Sequence, residues 1–334
     1  MRQVADAAGV HPATVSRALN PETRDLVNKT TARRVLRAAE SLGYRMNPIA
    51  RSLKTSKTGT VGIVIPDLTN PLFPPIVRGI EEVLEPAGFS GFLVNTDNDS
   101  HRERSLVESL QSRQVEGLII ATALLDHPLM SELALSGARM VMVNRRTEGL
   151  DVPTVVPDDA AGIDMAVRHL AELGHTRIAH LAGPSTTSTG LVRARSFAGA
   201  VRERGLSDDP ALVRHCRAWY EDAGAEALRE LLDSGTEFTA VVAGNDLLAL
   251  GCYDVFGERG ISCPDDISVV GFNGMPFLNK LAPPLTSVVV PHHRIGAEAA
   301  TLLLDKIANP DLLARAIVLP VSLGPGGSTA PPRA

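Results

Sequence analysis

The sequence predicts two fold classes in one chain. An N-terminal all-α helix-turn-helix domain with a hinge helix precedes an α/β core of two doubly wound parallel-sheet lobes. Three observations predict this. Residues 4–20 read as a short helix, a turn at Gly9 and a second short helix, an arrangement that can set its second helix in a DNA major groove. From Thr60 onward, apolar runs of strand length alternate with helical stretches, twice over, as parallel strands covered on both faces do. The charge divides at the same place. Residues 1–58 hold eleven Lys/Arg against four Asp/Glu, a balance of +7; the 334-residue chain totals −5, which leaves −12 for the remainder. Such asymmetry fits a basic DNA module on an acidic sensor.

The first helix covers residues 4–8, and Gly9 supplies the turn. Nothing in Met1-Arg2-Gln3 is an obvious cap, so the first amides meet water or the natural chain begins a few residues upstream. Pro12 suits the first turn of the next helix, which leaves His11 at the cap, a poorer one than Ser or Asp. Val4, Ala8, Val15 and Leu19 are expected to form a small core with Leu26, Val27, Val35 and Leu42. Asn28 caps a third helix that runs to about Leu42 and ends at Gly43. Asn47-Pro48 is a further start signal. The helix it opens spans about two turns, too few to be stable alone in water, and is expected to order mainly when docked.

In the core, strands are expected at 61–65, 91–94, 117–121 and 140–143, with helices from near Pro71, His101 and Asp126. After Asp158 come strands at 178–182, 240–243 and 268–272, with helices from Ala160, Leu191, Asp222 and Asp246. A strand at 288–290 and a helix at 294–307 are assigned back to the first lobe, a strand at 317–321 to the second, and the Gly/Pro-rich tail from Gly324 is expected to fray. The expected domains are therefore 1–45 (helix-turn-helix), 46–58 (hinge helix and linker), 59–157 with 288–316 (the DNA-proximal lobe) and 158–287 with 317–334 (the second lobe). Cys216, Cys252 and Cys263 form no close-spaced framework, and an odd, low count suits a reducing cytoplasm. No export leader opens the sequence and no apolar run reaches membrane-spanning length.

On these residues the chain resembles the lactose-repressor (LacI) family of bacterial transcriptional regulators, over nearly its whole length. The carriers are Val4-Ala5, Ala8-Gly9-Val10, Ala13-Thr14-Val15-Ser16-Arg17, Asn20, Leu42-Gly43-Tyr44, Asn47-Pro48 and Ala50-Arg51-Ser52-Leu53. Pro66-Asp67-Leu68-Thr69-Asn70-Pro71, Asn245-Asp246, Val269-Val270-Gly271-Phe272 and Pro284-Leu285-Thr286-Ser287-Val288 complete the series. The resemblance implies a homodimer on a near-palindromic operator and a periplasmic-binding-protein-like core whose interlobe cleft takes a small-molecule effector. No cofactor, metal or membrane partner is expected, and the protein is expected in the cytoplasm.

Arg17, on the recognition helix, offers a guanidinium that can take both O6 and N7 of a guanine; a phosphate contact or an ion pair with Asp6 is the alternative. Pro12 and Ala13 stand where family members read bases, yet offer only apolar contact. Thr14, Ser16, Asn20 and the Tyr44 hydroxyl are assigned to phosphates. In the family, the leucine corresponding to Leu53 wedges the minor groove at the operator centre, with Ala50 and Lys54 along the same groove. The resemblance assigns Leu72, Phe73, Arg193, Trp219, Asn245, Asp246 and Asn273 to the effector. Arg193 is expected to precede a helix containing Phe197. The chain departs from the family at Asn273-Gly274, where an acidic residue is usual, and at Leu72, where an aromatic is usual. The first change exchanges a carboxylate for an amide and opens the pocket to an anionic or less polar ligand. A sugar or polyol is the first expectation.

Three other readings compete with this one. A solute-binding protein shares the core but has no use for residues 1–58. An enzyme lacks support: no Walker loop, Gly-x-Gly-x-x-Gly, Gly-x-Ser-x-Gly or metal-spaced His/Cys set occurs, and His292-His293 is read as a surface turn. An activator of the same architecture differs from a repressor only in operator placement. No leucine heptad trails the core, so a dimer is expected rather than a tetramer.

Overall fold

A computed structural model describes residues 1–20, 23–44 and 58–333. The chain divides into two compact units, Met1–Gly59 and Thr60–Ala334. The predicted hinge positions Ala50, Leu53 and Lys54 lie outside the described residues.

The first unit holds α1 (Arg2–Ala8), α2 (Pro12–Leu19), a 3-10 turn at Arg24–Leu26 and α3 (Lys29–Ser41). Gly9 closes α1 at φ 59°, the left-handed conformation that glycine adopts without a Cβ penalty. His11 does cap α2, its Nδ1 accepting from the Ala13 amide at 3.2 Å, and Asn28 caps α3 through Thr30 at 2.9 Å. The buried core is Val4, Ala5, Ala8, Val15, Ala18, Ala32, Val35 and Ala39. Leu26 and Leu42, assigned to it from sequence, are instead 78% and 49% exposed. Five alanines let the three helices approach closely and leave no space for two more leucines.

The second unit contains two six-stranded sheets. Strands β1 (Thr60–Ile65), β2 (Ser90–Asn95), β3 (Gly117–Ile120), β4 (Met140–Val143), β5 (Thr154–Pro157) and β11 (Ala316–Leu319) form the first, ordered β11-β5-β4-β3-β1-β2 and parallel throughout. Strands β6 (Ile178–Ala182), β7 (Val213–His215), β8 (Ala240–Ala243), β9 (Ser268–Asn273), β10 (Thr286–Val289) and β12 (Ser322–Gly324) form the second, ordered β12-β10-β9-β8-β6-β7, with only β12 antiparallel. Their helices are α4 (Phe73–Leu84), α5 (Ser100–Ser112), α6 (Pro128–Leu135), α7 (Asp159–Glu172), α8 (Ser188–Glu203), α9 (Glu221–Asp233), α10 (Asp246–Arg259) and α11 (His292–Ala308).

Two assignments from sequence are reversed. The strand expected in the first lobe at 288–290 is part of β10 and pairs with β9 in the second; the strand expected in the second lobe at 317–321 is β11 and pairs with β5 in the first. The chain therefore crosses between lobes near 158, 290 and 320. Helix α11 does return to the first lobe, crossing α4 where both backbones are bare: a Cβ on Gly79 would sit 2.0 Å from the His293 carbonyl oxygen, and one on Gly296 1.9 Å from that of Ile76. Nor does the tail fray. The Ser328 hydroxyl donates to the Val269 carbonyl at 2.6 Å and accepts from the Thr286 amide at 2.8 Å, and Ser328 is fully buried. His292 and His293 open α11 rather than forming a surface turn.

Candidate functional site

Two surfaces carry chemistry, one on each unit. On the first, α2 buries Val15 and Ala18 and turns Ala13 and Arg17 outward, with Pro12, Thr14, Ser16 and Asn20 half-exposed beside them. Tyr44 is half-buried at the edge of the core. Among the described residues Arg17 pairs with no carboxylate, Asp6 included. Arg33, Arg34 and Arg37 are exposed on α3, adding positive charge to the same unit.

On the second unit, the carboxyl ends of the strands in both sheets meet across a cleft, where open parallel α/β sheets present ligand-binding groups. Its inner part is lined from the first lobe by Asn70, Leu72, Phe73, Asn144 and Arg145, and from the second by Thr189, Arg193, Trp219, Asn245 and Asn273. Six of the seven sequence-assigned effector residues thus come together. Asp246 does not line the cleft. It is fully buried behind it, accepting from Ser287 Oγ at 2.5 Å and the Met275 amide at 2.8 Å. Burial pushes its carboxyl up to about 7, against the opposing pull of those two donors.

Arg193 lies within α8 rather than before it. Its Nε and Nη2 both reach Asp159 Oδ1, at 2.8 and 2.7 Å, and Nη1 donates to the Gly244 carbonyl at 2.6 Å. The guanidinium lies 3.7 Å over the Phe272 ring and 5.6 Å from the Trp219 ring centre, a stacking geometry that suits a cation on aromatic faces. Trp219 rests on bare backbone: a Cβ on Gly183 would fall 2.0 Å from the indole. Asn245 caps α10 through Leu248 and holds the Trp219 carbonyl at 3.1 Å, so its amide is occupied in placing the ring. Phe197 is core, stacked on His180 with centroids 4.6 Å apart.

Four buried polar atoms around this chamber have no hydrogen-bond partner: Asn144 Oδ1, Asn273 Oδ1, Arg145 Nε and Trp219 Nε1. Buried polar groups are nearly always paired, so two acceptors and two donors left unmet around one chamber mark a place built for an outside partner. Asn144 and Asn273 are also held at positive φ, 63° and 121°, where non-glycine residues are uncommon and cluster at functional sites. The inner chamber measures about 20 Å³, room for about one water, and opens to a vestibule of about 340 Å³. The lobes are clasped at its mouth. Asn98 Nδ2 donates to the Tyr220 hydroxyl at 2.9 Å, the Leu125 amide to the Thr186 carbonyl at 2.9 Å, and the Arg146 amide to Ser188 Oγ at 3.0 Å. Arg145 and Trp219 line both the inner chamber and the vestibule.

Asn144, Arg145, Asp159 and Thr189 were missed from sequence. Asn144-Arg145 directly follows β4, at the carboxyl strand end where open α/β sheets present ligand-binding groups, and that position is the signal for them in the sequence.

Residues 1–47 match the model of bacterial regulatory proteins of the lacI family, and residues 58–323 that of periplasmic binding proteins and the sugar-binding domain of the LacI family. The chain belongs to the LacI family. It is 33% identical over 308 residues to the transcriptional repressor CytR of Escherichia coli K12, covering 92% of this chain and 89% of the relative. It is similar to the lac repressor dimer bound to operator and an anti-inducer, with a TM-score of 0.86, 25% identity and 98% of each chain covered. It is also similar to the regulator CelR in complex with cellobiose, with a TM-score of 0.76, 31% identity and 98% coverage of each. The chain is thus a DNA-binding transcriptional regulator with an effector-binding domain, and its relatives are regulators rather than enzymes. No helix among the described residues is long and apolar enough to cross a membrane.

Proposed function

We propose that this LacI-family chain is a repressor that binds a near-palindromic operator as a homodimer, beside DNA in the cytoplasm, and that a small hydroxylated effector in the interlobe cleft sets its operator affinity. The observation that carries this reading is the set of four unmet polar atoms in a clasped cleft: a ligand that satisfies them changes how the lobes meet. The operator-bound lac repressor dimer and the cellobiose-bound CelR support the operator, the dimer and a sugar-like ligand. In this reading Arg17 reads a guanine, Pro12 and Ala13 make apolar base contacts, and Thr14, Ser16, Asn20 and Tyr44 hold phosphates. Leu53 wedges the minor groove, with Ala50 and Lys54 along it. Leu72, Phe73, Arg193, Trp219, Asn245 and Asn273 form the pocket with Asn144 and Arg145, and Asp246 supports it from behind.

Selection of bound duplex from random sequence tests the reading. The selected operator should bind at about 10⁻⁸ M or tighter at moderate salt, with affinity falling steeply as salt rises. Leu53→Ala should weaken operator binding by about 1–3 kcal/mol and reduce the bend with it. Trp219 is the only tryptophan, so its emission should follow effector binding, and operator and effector must shift each other's affinity by the same factor. Equal affinity for scrambled duplex, or a ligand that saturates the emission change without moving operator affinity, would refute it.

A further inference from the structure

A second place on the sensing unit has the marks of a ligand site, away from the interlobe cleft. The connection from β4 to β5, residues 144–153, walls a groove of about 520 Å³ whose far side is residues 314–316, at the entry to β11. This groove shares no lining residue with the inner chamber or the vestibule. Thr147 lines it and is 6% exposed, yet its Oγ1 has no hydrogen-bond partner. A hydroxyl can both donate and accept, and when buried it nearly always finds a partner. The fold offers none among the described residues, and the groove that Thr147 lines is open to solutes.

Charge of both signs surrounds that hydroxyl. Arg146 and Arg315 bring guanidiniums to the groove, Glu148 and Asp151 bring carboxylates, and all four are exposed. They do not pair with one another. Among the described residues Arg315 reaches only Asp305, at 3.8 Å, and the other three form no ion pair. A guanidinium can serve both oxygens of a carboxylate at once, and a carboxylate accepts from an ammonium. A simple anion would meet Glu148 and Asp151 as like charges, and a simple cation would meet the two arginines. A ligand that carries both signs meets neither penalty.

The same connection takes part in the interlobe clasps. The Arg146 amide donates to Ser188 Oγ in the second lobe at 3.0 Å. The Glu148 amide donates at 3.0 Å to the carbonyl of Leu125, whose own amide holds the Thr186 carbonyl. A molecule seated on residues 146–151 therefore bears on two of the three clasps.

We propose that this groove is a second ligand site, for a small zwitterion of the amino-acid class, and that its occupancy acts on the interlobe clasps.

The test uses the full chain and follows its thermal midpoint. L-Serine, 4-aminobutyrate and 6-aminohexanoate carry the two charges at increasing separations. At least one should raise the midpoint saturably, and each of its two halves should bind about 10-fold more weakly or worse. The halves are 3-hydroxypropionate and ethanolamine for serine, butyrate and propylamine for the second, hexanoate and pentylamine for the third. Halves that bind as tightly as the whole, or no saturable response to any of the three up to about 10 mM, overturn the proposal. Arg146→Gln and Glu148→Gln should each weaken the responding zwitterion about 10-fold and leave the midpoint of the free protein in place; unchanged binding in both variants overturns it. Thr147→Val should weaken binding without lowering the free midpoint, because the hydroxyl it removes has no partner. A lowered midpoint would show that the fold itself uses the hydroxyl and would overturn the assignment of Thr147. Trp219 lies outside the groove, so its emission should change over the same concentrations only through the clasps. A saturable midpoint shift with the emission unmoved overturns the action on the clasps.

Discussion

The DNA-reading unit and the sensing unit place their chemistry in opposite locations. Among its described residues the first buries only alanine and valine and carries its working groups, Arg17 above all, on the outside of α2. The second buries its working groups: Arg145, Asp159, Arg193, Asp246 and Asn273 are each 8% exposed or less. An exposed reader can exchange side chains for a new target with little effect on stability. A buried sensor cannot, because each polar group inside must be paired by the fold or by the ligand. Sequence preference and effector control should therefore respond to mutation in different measurements.

The largest expected effect lies in the sensor. Asp159→Ala strands the buried Arg193 cation and should cost about 3–5 kcal/mol in urea unfolding of the core, as breaking one half of a buried pair does. A loss below about 1 kcal/mol would mean that the Phe272 face and the Gly244 carbonyl suffice for Arg193 and would erase the contrast. Next is Arg17→Ala, which should cost about 1–3 kcal/mol of operator binding at one symmetric pair of base positions and leave the thermal midpoint unmoved. A loss spread evenly over all sequences would make Arg17 a phosphate contact instead. Smaller still is Asn28→Ala, which removes the α3 cap and should cost the reader about 1 kcal/mol, visible as earlier unfolding of the first unit alone.

The finest discrimination is a slope with pH. Asp246, at about 7 in the fold against about 3.9 in an unfolded chain, keeps a proton that the unfolded chain loses. Its contribution to stability therefore falls as pH rises from about 4 to 7. His180 and His292, pushed by burial to about 4 from about 6.5, act oppositely: their contribution is complete above about 6.5 and is lost as pH falls toward 4. Asp159, raised by burial, acts in the same direction as Asp246, and His169 and His175, lowered by burial, act with the other two histidines, so the wild type shows the balance of both sets. Asp246→Asn removes one falling contribution, so the variant's stability should climb more steeply from pH 4 to 7 than the wild type's. Parallel curves would show that Asp246 is ionised in the fold.

Periodicity and punctuation made much of this molecule legible. β4, β6 and β8 fall where their apolar runs place them, and Gly9 and Asn28 mark their helix boundaries. What was not legible has identifiable causes. A short strand such as β10, Thr-Ser-Val-Val, fits either of two parallel sheets equally well, so its lobe depends on pairing partners that the sequence does not display. β7 and β12 are three residues long, below the length at which a period is defined. The reader's core was misjudged because leucine is the more hydrophobic residue, whereas helices at close range admit alanine. In the cleft, the residues recognised were those carried by family motifs or aromatic character. Arg145 was passed over because an arginine at the end of a strand looks solvated until its burial is known.

The three lobe crossings and the anchored tail also order the events of synthesis. The first sheet receives β11 only when residue 319 has been made, and the second lobe receives the ties of Ser328 and Ala330 to β9 and its neighbours only after that. Neither lobe can be completed while the chain is still short, although domains generally fold as units from the N-terminus during translation. The three-helix reader, whose helices and buried core lie within residues 2–41, is made long before. For most of its time on the ribosome the nascent protein therefore carries an assembled DNA-binding head and no finished cleft to govern it.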